Sequence, residues 1–493
     1  MGEARPSTSV GASASGIAGH GSVAGTVATA FADRLERELS AALRRARASG
    51  LPVMVSRTTT LTGTHDPTAI AVASRRAGEH WFCLEQPERR GSALAALGSV
   101  RVLEARGEDR FAQVARRWRA LSASAIADWG GDPPASGLVA LGGFAFADDG
   151  GGSAAWEGFA PASLVVPEVS LSRREGRTAL TLNLEVAPDD TVADVAARAA
   201  RRLGELRSAP LPLLDPAPAG SYRVQSPMPP SHYEEAVASA VQRIRGGELD
   251  KVVLAREVEV HAPVAHDPAA VLGLLRDEFP SCYVFAVGRG ESTFIAASPE
   301  LLVRREGQRA STVALAGSIG RSADPAVDDH LGERLLRSDK DREENAIVAR
   351  RIARTLQPHS VWVTAAPEPV LVRVANIQHL GLPIRAQLAS AVPAIELAGA
   401  LHPTPAVGAE PRERAASLIP ALEGIDRGWY AGPVGWTDAS GDGEFCVALR
   451  CALLRGRLAT LYAGCGIVRD SDPAAELAET EVKLGALLPL LAG

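Results

Sequence analysis

The chain of 493 residues carries 52 Lys plus Arg against 58 Asp plus Glu, a formal charge of −6. No basic excess exists to meet phosphates, which excludes a general nucleic-acid binder. With 46% hydrophobic and 22% charged residues the composition is that of a globular protein, long enough for roughly two to four domains or one large α/β body. No apolar run approaches the ~20 residues of a membrane span. The five cysteines show no CxxC spacing and read as reduced thiols of a cytoplasmic protein, neither a disulfide frame nor a zinc site.

Residues 1–25 are rich in Gly, Ser and Ala and lack the basic start and compact apolar run of a secretory signal. Pro6 stands where a myristoylation signal needs Ser or Thr, so this segment is expected to be a disordered tail. Helical spacing follows over Phe31–Ala48, with Leu35, Leu39 and Leu43 on one face. Strands are expected at Pro52–Ser56, His80–Leu84 and Thr178–Val186, and helices at Val114–Ile126 and Val192–Leu206. Pro-rich text (SAPLPLLDPAPAG, then QSPMPPSHYEEAV) marks a boundary near residues 208–230 and divides the chain into 26–215 and 230–493.

The second part opens with a helix at Tyr233–Arg245 and a strand at Lys251–Val260. Extended segments are expected at Phe294–Val303 and Val361–Thr364, helices at Arg334–Leu356 and Ala474–Leu491. Three strands, Pro433–Thr437, Glu444–Leu454 and Leu458–Ala463, follow one another across short turns. Such succession argues for antiparallel pairing and an α+β architecture with large sheets.

Only three of the 52 basic residues are lysines: Lys251, Lys340 and Lys483. Where any cation serves, this chain uses Arg, so a surviving Lys points to chemistry that Arg cannot perform, such as losing its proton. Alternation places Lys251 beside Val253 and Ala255 on one strand face, before Glu257 and Glu259 return that face to solvent. It reads either as a solvated strand-start cation or as a partly desolvated general base. Glu476, Glu479 and Lys483 share one helical face, as solvated ion pairs or as metal-binding carboxylates beside an anion-binding lysine. Glu344 lies on the margin of an apolar helical stripe, either a boundary residue or an inward-pointing ligand. Glu300 directly precedes an apolar strand, where burial would raise its pKa and suit it to general acid work. Gly464 and Gly466 end a strand, where small residues let backbone N–H groups approach an anion.

The order of segments LDKVVLAR, FIAASPELL, ALAGSIGR, SDKDREEN, LHPTPAVG, YAGPVGW with GDGEFCVALR, and YAGCGIV with ELAETEVKLG resembles the chorismate-utilising enzymes. These include isochorismate synthase, salicylate synthase, anthranilate synthase component I and aminodeoxychorismate synthase component I. The likeness is dense over residues 230–493, and LGGFAF (Leu141–Phe146) extends it weakly backwards. It implies one α+β (α/β) body of two stacked, mostly antiparallel β-sheets flanked by helices, with 26–215 completing the body and the site between the sheets.

Amine-forming members usually carry Gln at the place of Lys251, and aminodeoxychorismate synthases a nucleophilic lysine at the place of Ala316. Salicylate synthases tend to have Thr at the place of Ala406. The resemblance therefore implies an isochorismate synthase, a monomer without an amidotransferase subunit, acting on chorismate with Mg²⁺. Its product would feed menaquinone or siderophore biosynthesis. In that reading Lys251 is the water-activating base and Glu300 the acid. Glu344, Glu476 and Glu479 hold the metal; Arg450, alternating inward from its strand, pairs with a substrate carboxylate. Lys483, Gly464 and Gly466 add to anion binding, and His379 in NIQHLG lies near the substrate or is structural. Two departures stand out: Asn345 where the family commonly has His, which removes any proton role there, and Ala409 in place of a frequent glycine.

Overall fold

The computed structural model describes residues 23–128, 131–215 and 219–492. Most of the expected tail lies outside these residues; its last three, from Val23, already belong to a helix, Val23–Ser49, that starts eight residues before Phe31. Among the described residues the strands form a 13-stranded and a 10-stranded sheet. Every pairing is antiparallel except that of Val53–Leu61 with Ile126–Ala127. Strands from the first half of the chain sit inside both sheets. Trp81–Gln86 pairs with Tyr283–Arg289 in the larger one, and Val139–Phe144 with Pro433–Asp438 in the smaller.

The sheets stack face to face. Phe82, Phe285 and Phe294 of the larger sheet meet Phe144, Val303 and Phe445 of the smaller one in a single buried cluster, each aromatic contributing roughly 1.5–3 kcal/mol by leaving water. The outer face of the larger sheet is covered by helices, including Leu35, Leu39 and Leu43 of the first, the face anticipated from their spacing. No described helix is long and apolar enough to cross a membrane.

The structure departs from the expected elements at four places. The helix expected over Arg334–Leu356 is two, Pro325–Arg337 and Asp339–Leu356, because Ser338 turns out of the helix and its side chain caps Asp341 N–H. The helix expected over Ala474–Leu491 ends at Leu484 and resumes at Leu488–Ala492. The two remaining departures shape the site. Phe294–Val303 is not one strand: Ser292–Ser298 lies in the larger sheet and Leu301–Glu306 in the smaller. Glu444–Leu454 likewise divides into Gly443–Val447 in the smaller sheet and Cys451–Arg455 in the larger.

Both changeovers occur at one level and are tied together. Ala297 N–H donates to the Arg450 carbonyl and Val447 N–H to the Glu300 carbonyl, each at 3.0 Å. Ser298 Oγ–H donates to the Val447 carbonyl and accepts from Glu300 N–H. Ser298→Ala should therefore leave two buried backbone groups unpaired and lower stability by roughly 1–3 kcal/mol in urea unfolding; an unchanged midpoint would show that the clamp contributes nothing.

Candidate active site

A narrow cleft of about 90 Å³ opens beside the changeovers. Glu300, Ala316, Glu344, His379, Ala406, Arg450, Gly464, Gly466, Glu476, Glu479 and Lys483 all line it. Lys251, the remaining expected site residue, stands behind Glu344. The two changeovers supply Glu300 and Arg450, and strands Arg309–Gly320 and Ile377–Leu388 of the smaller sheet supply Ala316 and His379, while helices Asp339–Leu356 and Pro473–Leu484 bring the other acids and Lys483.

Lys251 is wholly buried, which eliminates the solvated-cation alternative. Its Nζ donates to Glu344 Oε1 at 2.8 Å. Gly466 makes room for this pair: a Cβ there would lie 2.5 Å from Glu344 Oε1 and 2.8 Å from Lys251 Cε. Gly464 and Gly466 face Ala255 and Val253 across the ladder. Val253 N–H bonds the Gly408 carbonyl and Ala255 N–H the Glu423 carboxylate, so both point away from the glycine strand. The two glycines are thus at non-hydrogen-bonded positions, their polar groups turned to the opposite edge. The neighbour on that edge stops pairing at Tyr462, which frees the glycine backbone toward the cleft. There the Gly464 carbonyl accepts from Lys483 Nζ at 2.8 Å.

Glu344 owes its position to its neighbour. Asn345 is buried, and its side-chain amide donates to the carbonyls of Ala314, Ala316 and Leu380. These flank a register shift between Ala316 and Ser318, where Gly317 takes a φ of +78°. The bulge leaves strand carbonyls that need donors, and an amide supplies two hydrogens. Asn345 is therefore a clamp between helix and sheet. Ala409, the other departure, sits buried in a two-residue strand beside Val252.

Glu300 is buried with no carboxylate partner bond; burial pushes its carboxyl up to about 8, against the lowering effect of Lys251 and Arg450. Arg450 does not alternate inward from a strand, as the sequence pattern suggested. It occupies the changeover itself, with a left-handed φ of 49°, and its Nη2 donates to His379 Nε2 at 3.0 Å. Burial, then Arg450 and Lys483, hold the His379 pKa well below its usual value.

The far wall is acidic and enclosed. Lys483 Nζ bonds Glu479 Oε1 at 2.7 Å, and Ser318 Oγ donates to the same oxygen at 2.8 Å. Burial alone would raise the Glu479 carboxyl, but Lys483 and Ser318 outweigh it and hold it at about 2. Burial raises the Glu476 and Asp341 carboxyls, each further raised by Glu479. Glu476 and Glu479 lie within 4.8 Å of Cys465 Sγ, whose thiol burial pushes up to about 12. Glu344, turned to Lys251, is not part of that cluster. Asp341, Lys340, Ser318 and Tyr430 also line the cleft and went unassigned in the sequence. For Asp341, three residues before Glu344 on the same helical face, the spacing was the available signal.

The "chorismate binding enzyme" family model matches residues 41–492. The chain belongs to this family. Among its relatives, the salicylate biosynthesis isochorismate synthase of Pseudomonas aeruginosa is 40% identical over 82% of this chain and 83% of its own. The isochorismate synthase MenF of Bacillus subtilis is 32% identical over 81% of this chain and 85% of its own. In structure, the menaquinone-specific isochorismate synthase MenF of Escherichia coli superposes with a TM-score of 0.74 at 29% identity, covering 92% of this chain and 100% of that one. Anthranilate synthase component I of Streptococcus pneumoniae, at 20% identity and a TM-score of 0.59, shares the fold.

Within this chorismate-binding scaffold the Asn345 clamp admits a sharp test. Asn345→Asp would set a carboxylate against three carbonyl oxygens, and it should cost roughly 3 kcal/mol or more in denaturant unfolding near neutral pH. Asn345→His, by contrast, keeps one donor and should be milder. Equal stability of Asp and Asn at this position would contradict the clamp.

Proposed function

We propose that the protein is an isochorismate synthase that adds water to C2 of chorismate while the C4 hydroxyl leaves. The observation that carries this reading is a buried lysine, Lys251, bonded to the cleft-lining Glu344, together with a buried carboxyl in the cleft, Glu300, whose pKa burial raises. Lys251 takes a proton from the attacking water as oxygen bonds to C2. The ring double bond shifts, the C4–oxygen bond breaks, and Glu300 gives its proton to the departing hydroxyl, so one water enters and one leaves. General acid–base help of this kind is worth about 10²- to 10⁴-fold per group. Arg450 holds the side-chain carboxylate, with Lys483 and the free glycine edge adding further anion contacts. The resemblance to two isochorismate synthases over more than four-fifths of the chain supports the same activity.

The donor set suits a hard divalent cation. Burial, and then the nearby Glu479, raise the Glu476 and Asp341 carboxyls at the acidic wall, a penalty that a cation would relieve, and oxygen donors are those Mg²⁺ prefers. Glu476 and Glu479, which lie together, would hold Mg²⁺, joined by the oxygen of Glu344 that Lys251 does not bond. Cys465, kept as a thiol, is not a suitable ligand for it. Bound there, the cation would neutralise the ring carboxylate of chorismate. We place the protein in the cytoplasm as a monomer that needs no amidotransferase subunit.

Purified protein given chorismate and Mg²⁺ should release isochorismate, separated by chromatography and mass, and lose activity with a chelator. Salicylate with pyruvate would instead establish a salicylate synthase. Because Glu300 works protonated, kcat/KM should fall as pH rises through about 8. Glu300→Gln should abolish that limb and cost about 10²- to 10⁴-fold in rate. An unaltered profile in the variant would remove Glu300 from the acid role.

A further inference from the structure

Arg450 is unusual among the arginines of this protein. Of the described arginines that are buried, Arg57, Arg110, Arg202, Arg256, Arg305 and Arg427 each pair with a carboxylate. Arg289 and Arg450 do not. Arg289 is walled in, with Nε and Nη2 unpartnered in the interior, whereas the Arg450 guanidinium lines the cleft. Its backbone is fixed, since its carbonyl accepts from Ala297 N–H at the changeover. The side chain is long, and the partner that sets its direction is a ring nitrogen, His379 Nε2, at 3.0 Å.

A guanidinium has only hydrogens to offer, so His379 Nε2 must be the unprotonated, accepting nitrogen. The ring in turn is held by a hydrogen bond to the backbone of Gly317 at the bulge, and the strand position opposite His379 is Ser318. A carboxylate in place of His379 would hold the guanidinium at least as firmly, as Glu423 holds Arg427. It would also cancel the charge. A neutral imidazole aims the cation and leaves its full charge for an incoming anion.

We infer that His379 is a positioning residue. It acts through Arg450, which it orients toward the substrate carboxylate as an uncharged acceptor, and does not itself act on the reacting atoms. The inference rests on the isochorismate synthase reading for the identity of that anion. It deepens that reading by separating two roles that the sequence left open for His379, substrate contact and structure.

The test uses full-length His379→Gln, His379→Leu and His379→Glu, each checked for wild-type-like thermal unfolding. Equilibrium binding of chorismate is measured beside steady-state kinetics. Gln retains a neutral acceptor and should keep binding and KM within a few-fold of wild type. Leu loses the acceptor and should weaken binding and raise KM roughly ten- to hundredfold, the scale of a hydrogen bond to a charged group, with a smaller loss in kcat. Glu supplies an acceptor but neutralises Arg450, and it should bind chorismate at least as poorly as Leu. If Gln is as impaired as Leu and the loss falls on kcat, His379 acts on the reacting atoms and the inference fails. If Glu binds as well as Gln, the argument from charge fails. Wild-type protein that binds chorismate without isomerising it would sink the proposed function alone, because the binding arm needs no turnover. Wild-type protein that binds no chorismate would overturn both.

Discussion

Two chain segments pass from one sheet to the other side by side, and the hydrogen bonds that lock them together set the geometry of everything nearby. A strand inside a sheet satisfies its backbone by its neighbours. A strand that leaves its sheet forfeits that satisfaction for two or three residues, unless something equivalent replaces it. Here each changeover supplies the missing partners of the other, through Ala297 with Arg450, Val447 with Glu300, and the Ser298 hydroxyl between them. Glu300 and Arg450 are the residues at the bends. The acid and the anion-binding cation are therefore placed by backbone bonds between two β-sheets, a more rigid support than a surface loop.

Around that frame the charges divide into two kinds. Lys251 with Glu344 and Lys483 with Glu479 are part-buried pairs in which each lysine is bonded to an acidic partner. Glu300 and Arg450 are buried and lack a bonded counter-charge. A buried, unpaired ionisable group costs stability, and groups held in that condition within a cleft concentrate at sites of chemistry. Glu300 meets the cost by staying protonated, the state a general acid needs. Arg450 keeps its charge, and its neutral partner leaves it available to a carboxylate. The pairs are poised differently, because both carboxylates face the cleft from helices, where a cation or substrate can meet them.

Much of this is legible in the sequence, for a definite reason. The scarcity of lysine in an arginine-rich chain draws attention to Lys251, Lys340 and Lys483, and motif order ties Lys251 and Lys483 to Glu300, Glu344, Glu476 and Glu479. Alternation and short turns also indicate large antiparallel sheets. The sheet changes are not legible. FIAASPELLV and GEFCVALRCALL are continuous apolar runs, and periodicity does not record which sheet a strand joins. Arg450 accordingly reads as an inward strand residue, although it holds a left-handed bend. The role of Asn345 is equally hidden, because it depends on a bulge at Gly317 whose carbonyls come from strands 29 to 35 positions away. Gly466 reads as an anion-binding glycine; its first effect is clearance for Lys251 and Glu344.

The account stands on the claim that a solvent water, activated from the Lys251 side, becomes the new hydroxyl while the old one leaves under Glu300. The most direct measurement is turnover of chorismate in water enriched in heavy oxygen, followed by mass analysis of the product. The account predicts isochorismate carrying one solvent-derived oxygen at C2 after a single turnover. Isochorismate free of the label would mean that the C4 hydroxyl migrates within the molecule, and would contradict the assignment of base and acid to Lys251 and Glu300.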